Sequence, residues 1–373
     1  MKIGILTYFI GQNYGAALQA YATLLALRKL GHDPVFIHYH QPWSKGPSFF
    51  DPRSYLSKSF GGFLAKCGRM RKQWHLRREF GKMEQLFPRT ERYYHSDLQL
   101  LQQFPPDCDV YLVGSDQVWK CPESLEHAEA YFLPFGSANV RRVSYASSMG
   151  GHEFPRDVVE TVKQYLSAFQ SISVREKGST DYLTAMGVRG VAWVPDPTIL
   201  LTQRDYADFI ESASPTGADC MVYLLHQEDP EVRALVEQSV EPYTKVLNVP
   251  LHSFHLSGAE NRIIGVPAFV RSIAEAEMLV TNSFHCVVFA LLLHRPFVFI
   301  QLIGKHKKMN NRVAELLEGL GLTERMIDPE HPVSPSEIQA QVIDWTEVDA
   351  KIAILRQVGW DYLEPALERE SAE

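Results

Sequence analysis

Short apolar runs alternate with stretches of helical spacing along most of the chain. It opens with KIGILTYF, a predicted strand, and the polar turn IGQN. In YGAALQAYATLLALRKL, which follows, apolar residues at 17, 18, 21, 24, 25 and 27 keep helical spacing. Gly31 ends that helix and PVFIHY reads as the next strand. The three form a βαβ unit, for which a right-handed parallel crossover is expected. Its glycines do not form GxGxxG, so no dinucleotide fingerprint is present. The same alternation returns at DVYLVGSDQVW (109–119) and NVRRVSYASSMG (139–150), each a strand and a polar loop. The helix FPRDVVETVKQYLSAF, the strand SISV, the helix GSTDYLTAMG and the strand VAWV complete the series. A first α/β domain over 1–195 follows. Within it, 41–100 is an excursion carrying prolines, aromatics, the basic run RMRKQWHLRREF (69–80) and one or two helices.

VPDPTILL (194–201), an aspartate between two prolines, reads as a domain connection. A second α/β series then runs DCMVYLLH, PEVRALVEQS, TKVLNV, VPAFVRSIAEAE, MLVTN, HCVVFALLLH, FVFIQL and NNRVAELLEGLG. Pro267 sits near a first helical turn, where its missing N–H costs little. This predicts a second domain over 196–345. Residues 346–373 are a helix and tail expected to pack back on the first domain, with ERESAE frayed. Two Rossmann-like α/β domains facing a cleft is the expected architecture. Ligands of open parallel sheets sit beyond the carboxyl ends of the strands, which selects the loops 10–15, 114–120, 175–178 and 282–286.

Composition narrows the function. The 373 residues, 45% of them hydrophobic, suit two globular domains. A net charge of -7 argues against a nucleic-acid partner. The first residues have no charged lead or cleavage site, so no signal peptide is expected. The longest apolar stretch, Cys286 to Leu293, falls far short of the roughly 20 residues that cross a bilayer. Cysteines 67, 108, 121, 220 and 286 are scattered without CxxC, which suits reduced thiols in a cytoplasm. The histidines lack HExxH, and neither GxSxG nor a P-loop occurs, so no metal or cofactor is expected.

TNSFHC (281–286) spends Asn282, Ser283 and His285 between two apolar runs. A turn from strand into helix presents unsatisfied N–H groups with partial positive charge, suited to phosphate. His285 there is either a proton-transfer group or a packed ring beside a helix cap. Arg175, directly after SISV, suits bidentate recognition of carboxylate or phosphate, or a structural pair with Glu176 or Asp181. Asn13 and Tyr14 open the first helix and can meet a sugar hydroxyl, or Asn13 is only a cap. In GSDQVW, Asp116, Gln117 and Trp119 suit a sugar, or form a turn with an anchoring indole. GKHKKMNNR (304–312) gathers Lys305, His306, Lys307, Lys308 and Arg312, either against an anion or as a solvated loop. The basic residues of 69–78 are either a membrane-surface patch or a solvated helix face.

Taken together, KIGILTYFIGQNYGAALQAYATLLALRKLGH, VGSDQVWK, SYASSMG, SVREKGSTDYL, VPDPTILL and VTNSFHCVVFALLLHRPFV resemble the polysaccharide pyruvyl transferase family, in its order and spacing over about residues 1–325. The resemblance implies a fold like that of the GT-B glycosyltransferases, with the first domain on the acceptor side and the second on the donor side. It implies transfer of the pyruvate unit of phosphoenolpyruvate, as a cyclic ketal, onto a sugar of a capsular or other surface polysaccharide. The acceptor would be a nucleotide- or lipid-linked sugar precursor. It makes His285 the catalytic acid or base and Arg175 a phosphoenolpyruvate ligand, with Asn282 and Ser283 beside them. Many relatives carry arginine where this chain has Ser283, and glycine where it has Cys286. Lys305, Lys308 and Arg312 are then the cations expected to replace that arginine. Two other classes share such a scaffold: a nucleotide-sugar glycosyltransferase and a non-catalytic glycan-assembly protein.

Overall fold

The computed structural model describes residues 1–39, 60–121, 123–126, 128–225, 229–250 and 255–368; for 60–70, 73 and 305 it describes the backbone alone. The first half runs β1 (Lys2–Leu6), α1 (Tyr14–Lys29), β2 (Asp33–Phe36), α2 (Phe60–Glu84), α3 (Leu98–Gln103), β3 (Val110–Val113), β4 (Arg141–Ser144), α4 (Val159–Leu166), β5 (Ile172–Val174), α5 (Lys177–Ala185) and β6 (Val191–Trp193). All its strand pairs are parallel. The sheet β2-β1-β3-β4 is continued by the pair β5-β6 through single bridges at Val143–Ser171 and Ser147–Val174. Of the excursion expected over 41–100, residues 40–59 lie outside the described residues.

After α6 (Pro197–Leu200) and α7 (Ala207–Glu211), the second half runs β7 (Cys220–Tyr223), α8 (Pro230–Val240), β8 (Val246–Asn248), β9 (Glu260–Asn261), α9 (Val266–Glu275), β10 (Met278–Thr281), α10 (Phe284–Leu292), β11 (Phe297–Ile300), α11 (Asn311–Leu320), β12 (Met326–Ile327), α12 (Pro335–Ala340) and α13 (Trp345–Leu367). Its strands pair in the order β12-β11-β10-β7-β8-β9, again all parallel. Parallel strands covered on both faces read as continuous apolar runs. Every residue of β3, β7, β10 and β11 is buried accordingly.

Two helices hold the halves together. All nine residues of α10 are buried, the mark of a helix inside a core rather than on a surface. It packs against α1 of the first half, and α1 also meets α6 and α9. The C-terminal helix α13 is the second link. Its Tyr362 hydroxyl donates to Ser144 O (2.8 Å), and Arg141 Nε donates to Ala366 O (2.7 Å). Arg356 and Trp360 donate to the carbonyls of Ile199 and Leu200, while Lys351 Nζ donates to Leu320 O at the end of α11. Gly359 allows this approach, because a Cβ there would lie 2.5 Å from Leu200 and 2.7 Å from the Tyr145 hydroxyl.

Candidate active site

Strand–turn–helix corners from both sheets meet at the junction of the halves. At one, Arg175 follows β5 and α5 begins at Lys177; at the other, β10 ends in Thr281 and α10 begins at Phe284. Between them, β6 runs into VPDPT. There Asp196 caps α6 by accepting from Thr198 N (3.0 Å) and Thr198 Oγ1 (2.7 Å), with Pro197 in the first turn.

Asp196 is 1% exposed and gathers the site. Its Oδ2 accepts from Arg175 Nη1 (2.7 Å) and from Ser115 Oγ (3.0 Å), and lies 3.4 Å from His285 Nε2. Burial alone would push its carboxyl up. The facing His285 and Arg175 side chains and the Thr198 hydrogen bond outweigh burial and hold the carboxyl well below the usual carboxylate range. At 3.4 Å the carboxylate lies beside Nε2, which is buried without a hydrogen-bond partner.

Arg175 is 6% exposed, and its Nε and Nη2 are buried without a hydrogen-bond partner, with Glu176 Oε1 3.6 Å from Nε. Buried guanidinium donors left unbonded are rare and costly. The Arg175 guanidinium carbon stands 5.3 Å from the Phe284 ring centroid, and that of Arg312 5.7 Å from the same ring. Burial, and then the like charge of Arg175, push the Arg312 guanidinium down to about 10. A cavity of about 230 Å³ reaches both arginines, Asp196 and Phe284; Trp193, Leu316 and Leu355 line its apolar side. Two cations at one aromatic ring, one with idle donors, offer hydrogen bonds to an anion, while Asp196, Glu176 and Asp116 face them from the protein side.

The other expected ligands divide. Asn13 accepts from Ala16 N as the cap of α1. The expected sugar contact from Tyr14 is set aside: it is 1% exposed, stacks on Phe269 at 4.0 Å and donates to Ile264 O (2.6 Å). Trp119 is set aside for the same reason, being fully buried, stacked on Phe132 and bonded through Nε1 to Tyr131 O (3.0 Å). Asn282 spends both amide atoms on Leu225, accepting from its N–H and donating to its carbonyl, so its side chain ties β10 to β7 rather than meeting a donor. Ser283 occupies the cap position of α10 without a side-chain cap bond. Asp116 and Gln117 remain part-exposed at the end of β3, Asp116 in the left-handed region (φ 78°) with Oδ1 accepting from Gln117 N. Lys308 is exposed and lies against Gly151; the side chain of Lys305 lies outside the described residues. Cys286 is 1% exposed, and burial pushes its thiol up to about 12.

In the basic run 69–78, Leu76 is 1% exposed in the core while Arg71, Trp74, His75, Arg77 and Arg78 face outward. Among the described residues no helix is long and apolar enough to cross a membrane, and no group of three or more His, Cys, Asp or Glu is placed to hold a metal ion. Sequence reasoning missed Asp196, Ser115 and Gly15, against which the His285 ring rests.

Two parallel α/β halves, joined at such a site and crossed by a returning C-terminal helix, define a two-domain protein of the GT-B type. The chain is similar to several solved structures. UDP-GlcNAc 2-epimerase from Methanocaldococcus jannaschii matches with a TM-score of 0.51 at 13% identity over 96% of this chain and 100% of that one. The Neisseria meningitidis UDP-GlcNAc 2-epimerase gives 0.45 at 10% over 99% and 95%. Acinetobacter baumannii MurG gives 0.43 at 8% over 95% and 94%. The family is more specific: the model described as polysaccharide pyruvyl transferase matches residues 13–301, and the chain belongs to that family. No curated protein matches the chain in sequence.

Proposed function

We propose that the protein moves the pyruvate unit of phosphoenolpyruvate onto two hydroxyls of a sugar in a bacterial surface polysaccharide precursor. The observation that carries this is the pair of unpartnered buried N–H groups on Arg175, with Arg312 across the Phe284 ring. Phosphoenolpyruvate brings a carboxylate and a phosphate, and each needs such donors. Arg175 and Arg312 hold it. Asn13, Asp116 and Gln117 meet the sugar.

In the first step a sugar oxygen bonds to C2 while C3 takes a proton, turning the methylene into a methyl. A second hydroxyl then bonds to C2 as the C2–O bond to phosphate breaks, and its proton leaves with the phosphate. One phosphoenolpyruvate and one diol give one ketal and one phosphate, with no change in oxidation state. His285, held by Asp196, carries the proton. The arginines offset the charge gathering on the departing phosphate.

The test is phosphate release from phosphoenolpyruvate, followed by ³¹P NMR with nucleotide- and lipid-linked sugars. Release dependent on a sugar supports the proposal. Nucleotide release from a sugar nucleotide instead would mark a glycosyltransferase, and neither activity would mark a glycan-assembly protein. For a cytoplasmic enzyme meeting a lipid-linked acceptor, the outward Arg71, Arg77 and Arg78 of α2 would touch anionic headgroups. Arg77→Glu with Arg78→Glu should then abolish co-sedimentation with anionic vesicles, and unchanged co-sedimentation sinks that contact.

A further inference from the structure

The ring of His285 fills the space where Gly15 would carry a side chain. An ideal Cβ on Gly15 would lie 2.2 Å from His285 Nδ1, 2.8 Å from Cε1 and 3.0 Å from Cγ, closer than real Cβ atoms come. The obstruction is a ring edge and not the far end of a flexible chain. On its other edge, Nε2 is buried 3.4 Å from Asp196 Oδ2. The imidazole is therefore wedged between a carboxylate of the connection and bare backbone at the start of α1, which belongs to the opposite half.

Backbone conformation does not account for the glycine. Gly15 is the second residue of α1 and is not among the residues with positive φ. Alanine is the better helix former at an ordinary helical position. Close approach is the reason left, and the three nearest atoms all belong to His285.

We infer that Gly15 is a positioning residue for His285. The absent side chain at the start of α1 lets the imidazole seat against Asp196, so the first half sets the geometry of a proton-transfer group supplied by the second. Only the kinetic part of the test rests on the proposed pyruvyl transfer; the packing part stands without it.

The test is a cycle of Gly15→Ala, His285→Ala and the double variant in the full chain. The His285 imidazole signals in ¹H–¹⁵N spectra, assigned by their loss in His285→Ala, should move in Gly15→Ala. The melting temperature of Gly15→Ala should fall by about 2–5 °C, from forcing a methyl into filled space. In the His285→Ala background the same methyl should cause no fall, because its obstacle is gone. With phosphoenolpyruvate and an accepted sugar, Gly15→Ala should lose about tenfold or more in kcat with KM for phosphoenolpyruvate nearly unchanged, and lose nothing further once His285 is Ala. If Gly15→Ala alone fails to fold, folding of the double variant upholds the inference and its failure overturns it. Unmoved His285 signals, or equal losses of melting temperature in both backgrounds, would also overturn it. If no sugar supports phosphate release, the proposed reaction falls, while the spectra and melting temperatures still decide the role of Gly15.

Discussion

The corner at Arg175 and the corner at His285 are built alike: a buried strand, a polar turn, a helix. They use their polar residues differently. After β5, Arg175 and Glu176 are both buried and both engaged beyond their own turn, Arg175 with Asp196 and Ser115, Glu176 with Ser148. After β10, Asn282 turns back to its own sheet, Ser283 marks the helix start, and His285 crosses to the other half. Polarity in a turn therefore does not say which way a side chain faces. What decides it is where the missing partner lies. Asn282 finds a backbone N–H and C=O on the neighbouring strand connection, whereas the carboxylate facing His285 lies on the connection after β6.

The largest effect should come from removing what the corners share. Asp196→Ala leaves a buried guanidinium without its carboxylate, which typically costs about 3–5 kcal/mol in urea unfolding; a loss under about 1 kcal/mol would show the corners to be independent. Acid should act at the same point. The folded carboxyl of Asp196 lies below its unfolded value of about 3.9, so its contribution is present above about pH 4 and is lost as pH falls below that. Asp196→Asn should remove that part of the acid limb of stability against pH, and an unchanged limb counts against the hub.

His285→Ala should keep the fold and lose about 10²-fold or more in turnover, the scale of one proton-transfer group; wild-type turnover would rule out that role. Arg312→Gln should separate binding from stability. Burial and Arg175 both disfavour its charge in the folded protein, so the melting temperature should hold or rise while phosphoenolpyruvate affinity by calorimetry falls at least tenfold. Unchanged affinity would remove Arg312 from the donor site. Asn282→Ala should show the reverse, a stability loss of about 1–3 kcal/mol from an unpaired backbone group with affinity unaltered. Ser283→Ala should be the smallest, within about 0.5 kcal/mol.

Much of the fold could be read in advance, because glycine stops and apolar runs mark α1, β10, α10 and β11 locally. The cleft loops followed from parallel topology. The hub did not. Asp196 sits between prolines and reads as part of a domain connection, while its partners Ser115 and Arg175 are 81 and 21 positions away. A lone acid in an otherwise apolar connection was the available signal. Tyr14 faces the core rather than a sugar, and Trp119 takes the anchoring alternative, because an aromatic beside a polar loop looks the same in sequence whether it faces a ligand or the core. Gly15 reads as part of a helix start, and only the facing ring shows what its bareness admits. The family match ends at residue 301, before Arg312; the sequence offers Arg312 only as one of three cations, and the structure sets it beside the Phe284 ring.

A crystal structure with phosphoenolpyruvate bound tests the central claim most directly. The expected result places its phosphate or carboxylate within hydrogen-bond distance of Arg175 Nε or Nη2 and against Arg312, with C3 in reach of the His285 ring. Phosphoenolpyruvate bound away from both arginines, or a cleft that takes a sugar nucleotide there and leaves phosphoenolpyruvate unbound, would contradict it.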